Sequence, residues 1–311
     1  MIGNVYYNNL NQLQSVTTDF GAFQKTYSYT YYPNGLKKSY TNPEGITYTY
    51  FYTKHNEVAA VLIPGEGQIG LANFNWLMPQ TILLPGGSKV TLTYDQFLRV
   101  ESRLLTDPAD TELARTLYQY DLENNITKLT QNYGAMNFSY DNLYRLTDAD
   151  YPWDQTQAPN LKTDESFTYD GVGNRISEGP GKAVGLDDAE QAAQTTTLSY
   201  DNHNRLTGTS AGASFTYNAN GHTTQKSHNG VTTDYVYNRE ERLIEVKVDG
   251  STVGDYSYNP YGQRVRKVAN GQTTWFLYNE QGLAAEYDQI GALVKEYHFM
   301  PYAPWMTAPL M

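Results

Sequence analysis

The feature that most constrains this sequence is a tyrosine that recurs about every twenty residues along the whole chain. One gap, between Tyr52 and Tyr94, has double length, and Phe74 lies near its midpoint. A repeat of this period indicates an array of one small unit, in which each copy packs only on its neighbours. The twelve anchor tyrosines are Tyr7, Tyr31, Tyr52, Tyr94, Tyr120, Tyr140, Tyr169, Tyr200, Tyr217, Tyr237, Tyr258 and Tyr278.

The residues around each anchor predict what the unit is. The residue two positions before the anchor is always apolar, which is the period of a strand with one buried face. The position after the anchor is Asp or Asn in ten of the twelve repeats, including Asp95, Asp121, Asp141, Asp170 and Asp201. The fourth position is Gly or Asn in nine, including Gly173, Gly221, Gly262 and Gly282. An Asx side chain can bond its own downstream backbone, and Gly or Asn accepts a positive φ, so the unit is predicted to be a β-hairpin closed by an Asx turn.

The predicted fold is therefore all-β: about twelve antiparallel β-hairpins in one long sheet, which strand twist forces to curve. We expect a single region over residues 1–311, with insertions near 151–166 and 178–197 and a short helix at 186–193. About 24 strands at ~4.8 Å give a contour near 115 Å, or a ring only about 37 Å across. This favours an open arc or a small plugged coil, with exposed edges that predict self-association.

The stretch Thr274–Pro309 resembles the core region of a known family of bacterial proteins, and three further segments carry the same resemblance: Tyr169–Arg175, Tyr200–Leu206 and Tyr258–Lys267. The three segments resemble the tyrosine-aspartate (YD) repeats of Rhs proteins, a family that includes Rhs polymorphic toxins, the C component of ABC-type insecticidal toxin complexes, and teneurins. The resemblance implies that the curved, spiralling sheet is part of a β-sheet shell, or cocoon wall, that encloses a C-terminal toxin. It further implies that the partners are additional Rhs shell segments or the toxin cargo.

The sequence also departs from that family. Bacterial members continue to an Asp-Pro-x-Gly-Leu segment for self-cleavage, whereas the only Asp-Pro here, Asp107-Pro108, is followed by Ala109-Asp110. Self-cleavage and toxicity are therefore not implied, and no toxin domain is expected. The first residues do not read as a signal peptide. We expect synthesis in the bacterial cytoplasm and export by a specialised secretion system or toxin complex.

Composition narrows the function classes further. The chain has no cysteine, which excludes disulfides and thiolate chemistry. Its 22 basic and 33 acidic residues give a net charge of −11, which argues against nucleic acid as a partner. No apolar run is long enough to span a membrane.

Motifs that suggest chemistry are weak. Gly65–Gly70 matches a dinucleotide-binding pattern, but Pro64 precedes it and no helical pattern follows. His222 and His228 could approach each other across a hairpin, and Asp148, Asp150 and Asp154 are closely spaced, but neither set has a ligand pattern. We expect neither enzymatic activity nor a cofactor or metal. The open alternative is an adhesion module that binds glycans or a partner protein through exposed aromatics such as Trp153 or Trp275.

Overall fold

A computed structural model of the protein describes residues 3–76, 78–152, 164–180 and 194–298. It confirms the predicted all-β class: 27 antiparallel strands form one open sheet. Pro85–Gly87 forms a short 3-10 turn. The strands are β1 (Val5–Tyr7), β2 (Leu13–Asp19), β3 (Gln24–Tyr31), β4 (Lys37–Thr41), β5 (Thr47–Tyr52), β6 (Val58–Ile63), β7 (Gly67–Asn75), β8 (Met78–Leu83), β9 (Lys89–Tyr94), β10 (Val100–Thr106), β11 (Glu112–Tyr120), β12 (Ile126–Gln131), β13 (Gly134–Tyr140), β14 (Leu146–Asp150), β15 (Glu165–Tyr169), β16 (Arg175–Pro180), β17 (Thr196–Tyr200), β18 (Leu206–Thr209), β19 (Ser214–Tyr217), β20 (Thr223–His228), β21 (Val231–Tyr237), β22 (Leu243–Val248), β23 (Ser251–Tyr258), β24 (Arg264–Ala269), β25 (Gln272–Asn279), β26 (Gly282–Tyr287) and β27 (Leu293–Glu296).

Every strand pairs with the next one in the chain, so the sheet is a continuous meander. Each anchor tyrosine lies at or next to the end of an odd-numbered strand. All anchor turns therefore lie on one rim of the sheet, here called the anchor rim, and the other turns lie on the opposite rim. The ladder shifts register at the anchors, for example at Tyr120 and Tyr169. Such bulges increase the local twist, which favours a curved sheet.

The middle of the sheet is a single layer. Between Val90 and Val265, Ala149 is the only buried hydrophobic side chain among the described residues. A long sheet with no second layer cannot obtain its stability from a central core. The strands here must be stabilised by contacts within the sheet itself.

The two ends of the sheet overlap. Leu277, Ala285 and Tyr287 share one core cluster with Tyr27, Tyr29 and other side chains of the first hairpins. Tyr27 and Tyr29 lie four and two residues before the anchor Tyr31 on β3, and alternate residues of a strand share a face. Both therefore lie on the face that carries the anchors, here called the anchor face. Leu277 directly precedes the anchor Tyr278 on β25 and therefore lies on the face opposite to the anchor face. The last hairpins contribute this opposite face to the shared core cluster. Opposite faces meet when a sheet rolls up, and we call this overlap the seam.

The insertions predicted near 151–166 and 178–197 fall in the connections between β14 and β15 and between β16 and β17. Residues 153–163 and 181–193, with the predicted helix at 186–193, lie outside the described residues. The strands reach further into these ranges than predicted, because β15 begins at Glu165, β16 continues to Pro180 and β17 begins at Thr196. The skipped repeat near Phe74 is a hairpin as well, formed by β7 and β8.

Candidate functional site

The anchor tyrosines connect each hairpin to the one before it. Eleven anchor hydroxyls each donate a hydrogen bond of 2.6–3.0 Å to a backbone carbonyl of the preceding hairpin. In ten of them the acceptor lies six positions after the previous anchor, as Leu146 does for Tyr169 and Leu206 does for Tyr217. The recurring tyrosine therefore ties neighbouring hairpins together. The eleven donors are Tyr31, Tyr52, Tyr94, Tyr120, Tyr140, Tyr169, Tyr200, Tyr217, Tyr237, Tyr258 and Tyr278.

The Asp or Asn after the anchor closes the turn. Its Oδ1 atom accepts two backbone N–H groups, from the third and fifth positions after the anchor, at 2.8–3.1 Å in nine turns. The side chain supplies acceptors that the tight turn would otherwise lack. The residues in these turns are Asn8, Asp95, Asp121, Asp141, Asp170, Asp201, Asn218, Asn238 and Asn259.

The fourth position after the anchor takes a left-handed conformation, whatever residue is there. In eleven repeats its φ lies between 59° and 98°, including Gly173, Gly221 and Gly262. Gly282 has a φ of 145°, because Asn279 pairs directly with it in a tighter hairpin. Leu98, Tyr144 and Glu241 take the left-handed conformation without being Gly or Asn. The turn geometry thus overrides local residue preference at these three sites.

Arginine at the fifth position braces one anchor turn against the next. Arg145 donates from Nε to Asp141 Oδ2 at 2.7 Å, and from Nη1 to the carbonyl of Asp170 in the following turn at 2.9 Å. Its guanidinium lies 4.6 Å from the ring centre of the next anchor, Tyr169. Arg99 and Arg205 repeat all three contacts in their own turns. The planar fork of arginine suits this combination of carboxylate, carbonyl and ring.

These hydrogen bonds also affect acidity. The side-chain hydrogen bond from Arg145 holds the pKa of Asp141 below its usual value, and the turn amides lower it further. The corresponding bond from Arg205 lowers the pKa of Asp201 to about 2. Both carboxylates therefore stay charged in the folded state well into the acidic range.

The seam contains buried polar groups. Glu296 accepts two hydrogen bonds from Asn42 and one from Tyr48, at 2.9–3.3 Å. Burial raises the pKa of Glu296, but hydrogen bonds from His298 and Asn42 outweigh it and hold the pKa below its usual value. Lys37, buried in the first hairpins, pairs with Glu280 of the last ones. These contacts fix how the two ends of the sheet are aligned.

The residues considered for chemistry are spread through the sheet. Gly65–Gly70 forms a turn and the start of β7, with no helix after it. His222 and His228 do not approach each other across a hairpin, because His222 immediately precedes β20 and His228 is its last residue; His222 instead stacks on Tyr237. Asp154 lies outside the described residues. Within the described part of the chain, no group of three metal-ligating side chains comes together.

The aromatics proposed for glycan binding are placed differently from the expectation. Trp275 packs against Phe20 and Phe23 in the seam, with ring centres 5.5 and 6.2 Å away, so the expectation that it is exposed is wrong. Trp153 lies outside the described residues. A separate cleft of about 440 Å³ opens between the second and third anchor turns, near Tyr32 and Phe51. The residues that line it are Tyr32, Pro33, Asn34, Leu36, Phe51, Tyr52, Thr53 and Asn56.

The arginine braces were missed by the sequence reasoning, although they leave a signal. Asp after the anchor is followed four residues later by Arg in three repeats, at Arg99, Arg145 and Arg205. This spacing suits an intra-turn ion pair, but the contact with the next turn depends on strand pairing and cannot be read locally. Among residues 3–298, apart from the gaps named above, no helix has the length and apolar character to cross a membrane.

Comparisons with known proteins agree with this architecture. No model of a known protein family and no curated protein sequence matches the chain. Solved structures do: the crystal structure of TcdB2-TccC3 matches with a TM-score of 0.54 and 14% identity over 95% of this chain. The Photorhabdus luminescens Tc holotoxin pore with the TccC3-D651A mutation matches with a TM-score of 0.53 and 14% identity over 96%. The match covers 20% and 19% of those chains, so this chain spans about a fifth of their length. At this identity the likeness is one of fold: the chain is built like about a fifth of the matched TcdB2-TccC3 chain.

Proposed function

We propose that this chain is a segment of a toxin shell, whose work is to enclose a polypeptide rather than to catalyse a reaction. The observation that carries the proposal is a single-layer sheet that is braced turn by turn and rolls until its ends overlap. A protein that needed only a stable fold would bury this sheet under a second layer. A wall with two accessible faces instead has a surface available for contents. We further propose that the chain reaches its place by export through a specialised secretion system or toxin complex.

The size of the roll limits what it could hold. The seam joins strands about 22 strand spacings apart, which at ~4.8 Å corresponds to a circumference of about 105 Å and a diameter of about 34 Å. Side chains on the wall reduce the clear width to roughly 24 Å, if half of a ~10 Å sheet spacing is taken on each side. A folded domain of about 100 residues has a radius of gyration near 13 Å and does not fit. The contents would be a short or unfolded segment.

The names of the matching structures give this proposal its context. One is described as a holotoxin pore, and another as TcdB2-TccC3 without its hypervariable C-terminal region. A wall that surrounds a variable polypeptide is compatible with those descriptions. We therefore propose further shell segments or a toxin polypeptide as partners.

Protease protection tests containment. An unstructured segment of tens of residues with one protease site is fused to the chain, and its cleavage is compared with that of the same segment fused to an unrelated β-protein. Containment predicts much slower cleavage, restored to the control rate by Leu277→Asp, which places a charge in the seam. Equal cleavage rates in the folded fusion and in the control fusion would contradict containment.

A second candidate function is glycan binding at the cleft. Sugar-binding sites combine aromatic surfaces with a few polar groups, and the cleft offers Tyr32 and Phe51 beside the amides of Asn34 and Asn56. Phe51 is 40% exposed, so its ring is accessible. A glycan array would test this: binding that is lost in Phe51→Ala supports it, and an array without signal for the folded protein removes it.

A further inference from the structure

Five consecutive turns on the anchor rim, from β7 to β16, each project a large apolar side chain into solvent. The most exposed residue of each turn is between 60% and 87% accessible. On the opposite rim, exposed apolar residues such as Tyr133 and Ile290 lie singly. Isolated exposed apolar residues are normal, but a run of them marks an interaction surface. We call this set the apolar row: Trp76, Phe97, Leu98, Leu122, Leu143, Tyr144 and Val172.

Backbone conformation makes the row more unusual. Trp76, Leu98 and Tyr144 have φ values of 58°, 62° and 62°, in the left-handed region that favours glycine. Leu98 and Tyr144 occupy the position at which most sister turns carry Gly or Asn. Both hydration and backbone preference therefore disfavour these side chains in the isolated chain. A contact that buries them offsets both disadvantages, and strained residues concentrate at functional surfaces.

The row is also held rigid. Arg99 donates to the carbonyl of Asp121 and to the side chain of Asn124, at 2.9 Å each, which fixes one turn of the row against the next. Arg145 does the same with the carbonyl of Asp170. Neighbouring turns lie about 9.6 Å apart, two strand spacings. A surface whose elements are already fixed loses little freedom when a partner binds.

The distribution of charge shows where a second copy of this chain could approach. The chain carries a net charge of −11, so two copies repel each other over most of their surface. Along the apolar row the aspartates are engaged by their own turns, and Glu123 is the one other acidic residue in these turns. From Tyr200 onward the turns on the same rim carry mostly polar residues, such as His203 and Glu240, and the exposed Tyr261 lies singly among them. The apolar row is thus a stretch of this rim where apolar side chains project and a second copy can approach without strong repulsion.

We propose that the apolar row is the interface of a symmetric homodimer, in which two anchor rims meet in antiparallel orientation. Side chains spaced by about 9.6 Å leave gaps that the same row of a second copy fills when shifted by half a spacing. Seven side chains that expose on the order of 100 Å² each provide roughly 700 Å² per copy, close to the ~800 Å² of a standard interface. A twofold axis makes one patch sufficient for both partners.

Sedimentation velocity at protein concentrations of about 1–100 µM, a range suited to interfaces of this size, tests the proposal. Wild type is expected to form a dimer, and Leu122→Ser combined with Leu143→Ser to weaken it at least tenfold. The matched control is Tyr133→Ser combined with Ile290→Ser on the opposite rim, which leaves the dimer unchanged. A wild type that is monomeric throughout this concentration range overturns the proposal. Equal dimerisation of wild type and the Leu122→Ser, Leu143→Ser double variant also overturns it.

Glycine substitutions distinguish the contribution of a side chain to the dimer interface from its contribution to folding stability. Leu98→Gly and Tyr144→Gly relieve the backbone, so each is expected to raise the unfolding midpoint of the monomer while weakening the dimer. Glu241→Gly makes the same change at a turn outside the row and should raise the midpoint without affecting the dimer. If the Leu98 and Tyr144 variants dimerise as wild type does, the row is not the interface.

Discussion

Replacing Arg145 by methionine removes one brace from the middle of the sheet while it keeps an apolar stem of similar length. The variant loses an ion pair with Asp141, in which both side chains are 24% exposed. It also loses the hydrogen bond to the carbonyl of Asp170 and the ring contact with Tyr169. A partly exposed ion pair contributes about 0.5 kcal/mol, the hydrogen bond about 1 kcal/mol and the cation–π contact about 0.5 kcal/mol. We expect local stability to fall by about 2 kcal/mol.

Hydrogen exchange with peptide resolution is the appropriate assay, because a repeat array need not unfold in one step. Amides of β13 to β16 should exchange about thirtyfold faster in Arg145→Met, since 1.4 kcal/mol corresponds to a factor of ten. Arg103→Met is the matched control: Arg103 is exposed on β10 and has none of these three contacts. Arg145→Lys should recover only part of the loss, because an ammonium cannot reproduce the planar fork.

A stabilising role of the Arg145 brace is refuted if amides of β13 to β16 exchange in Arg145→Met as they do in the Arg103→Met control. It is also refuted if protection falls equally at β23 to β26, far from the brace. Either result would mean that the arginine contacts do not stabilise neighbouring turns.

Three further predictions concern other parts of the structure. Glu241→Gly should stabilise the fold by about 0.5–1 kcal/mol, because glycine removes left-handed strain, and a higher thermal midpoint checks this. Asp201 has a pKa of about 2 in the folded state against the ordinary value of 3.8, so its stabilising contribution is complete above about pH 4 and is lost as the pH falls toward 2. Asp201→Asn keeps the turn acceptor, so its unfolding midpoint should depend less on pH between 4 and 2 than that of wild type; an identical pH dependence would contradict this. Leu277 is fully buried in the seam, so Leu277→Ala should lower the free energy of unfolding by about 3 kcal/mol and increase hydrogen exchange in β3. Unchanged protection of β3 would show that the seam does not hold the ends together.

The hairpin array could be predicted from sequence because its determinants are local. The anchor, the Asx residue after it and the left-handed fourth position all act within one turn. Short turns then force each strand to pair with the next, so the sheet order follows directly. Leu98, Tyr144 and Glu241 show that the turn geometry holds even where the residue at the fourth position is unfavourable.

The rest of the structure depends on distances that the sequence pattern does not encode. The arginine braces connect residues between 13 and 25 positions apart, and only strand pairing brings them together. The seam brings Asn42 to Glu296 after the twist of more than twenty strands has accumulated. Trp275 was expected to be exposed because each hairpin was considered alone, whereas the roll places it against Phe20.

The hairpin array rolls into a wall whose ends overlap. The most direct test is a spin-label distance between cysteines introduced at Ala22 and Ile290, two exposed turn residues in a chain that contains no cysteine of its own. In the rolled sheet these turns are adjacent, since Gly291 lies against the ring of Phe23, and the distance should be on the order of 20 Å, a few strand spacings. An unrolled sheet would separate the labels by roughly 115 Å, the length of 24 strand spacings, and a distance of that order would contradict the account.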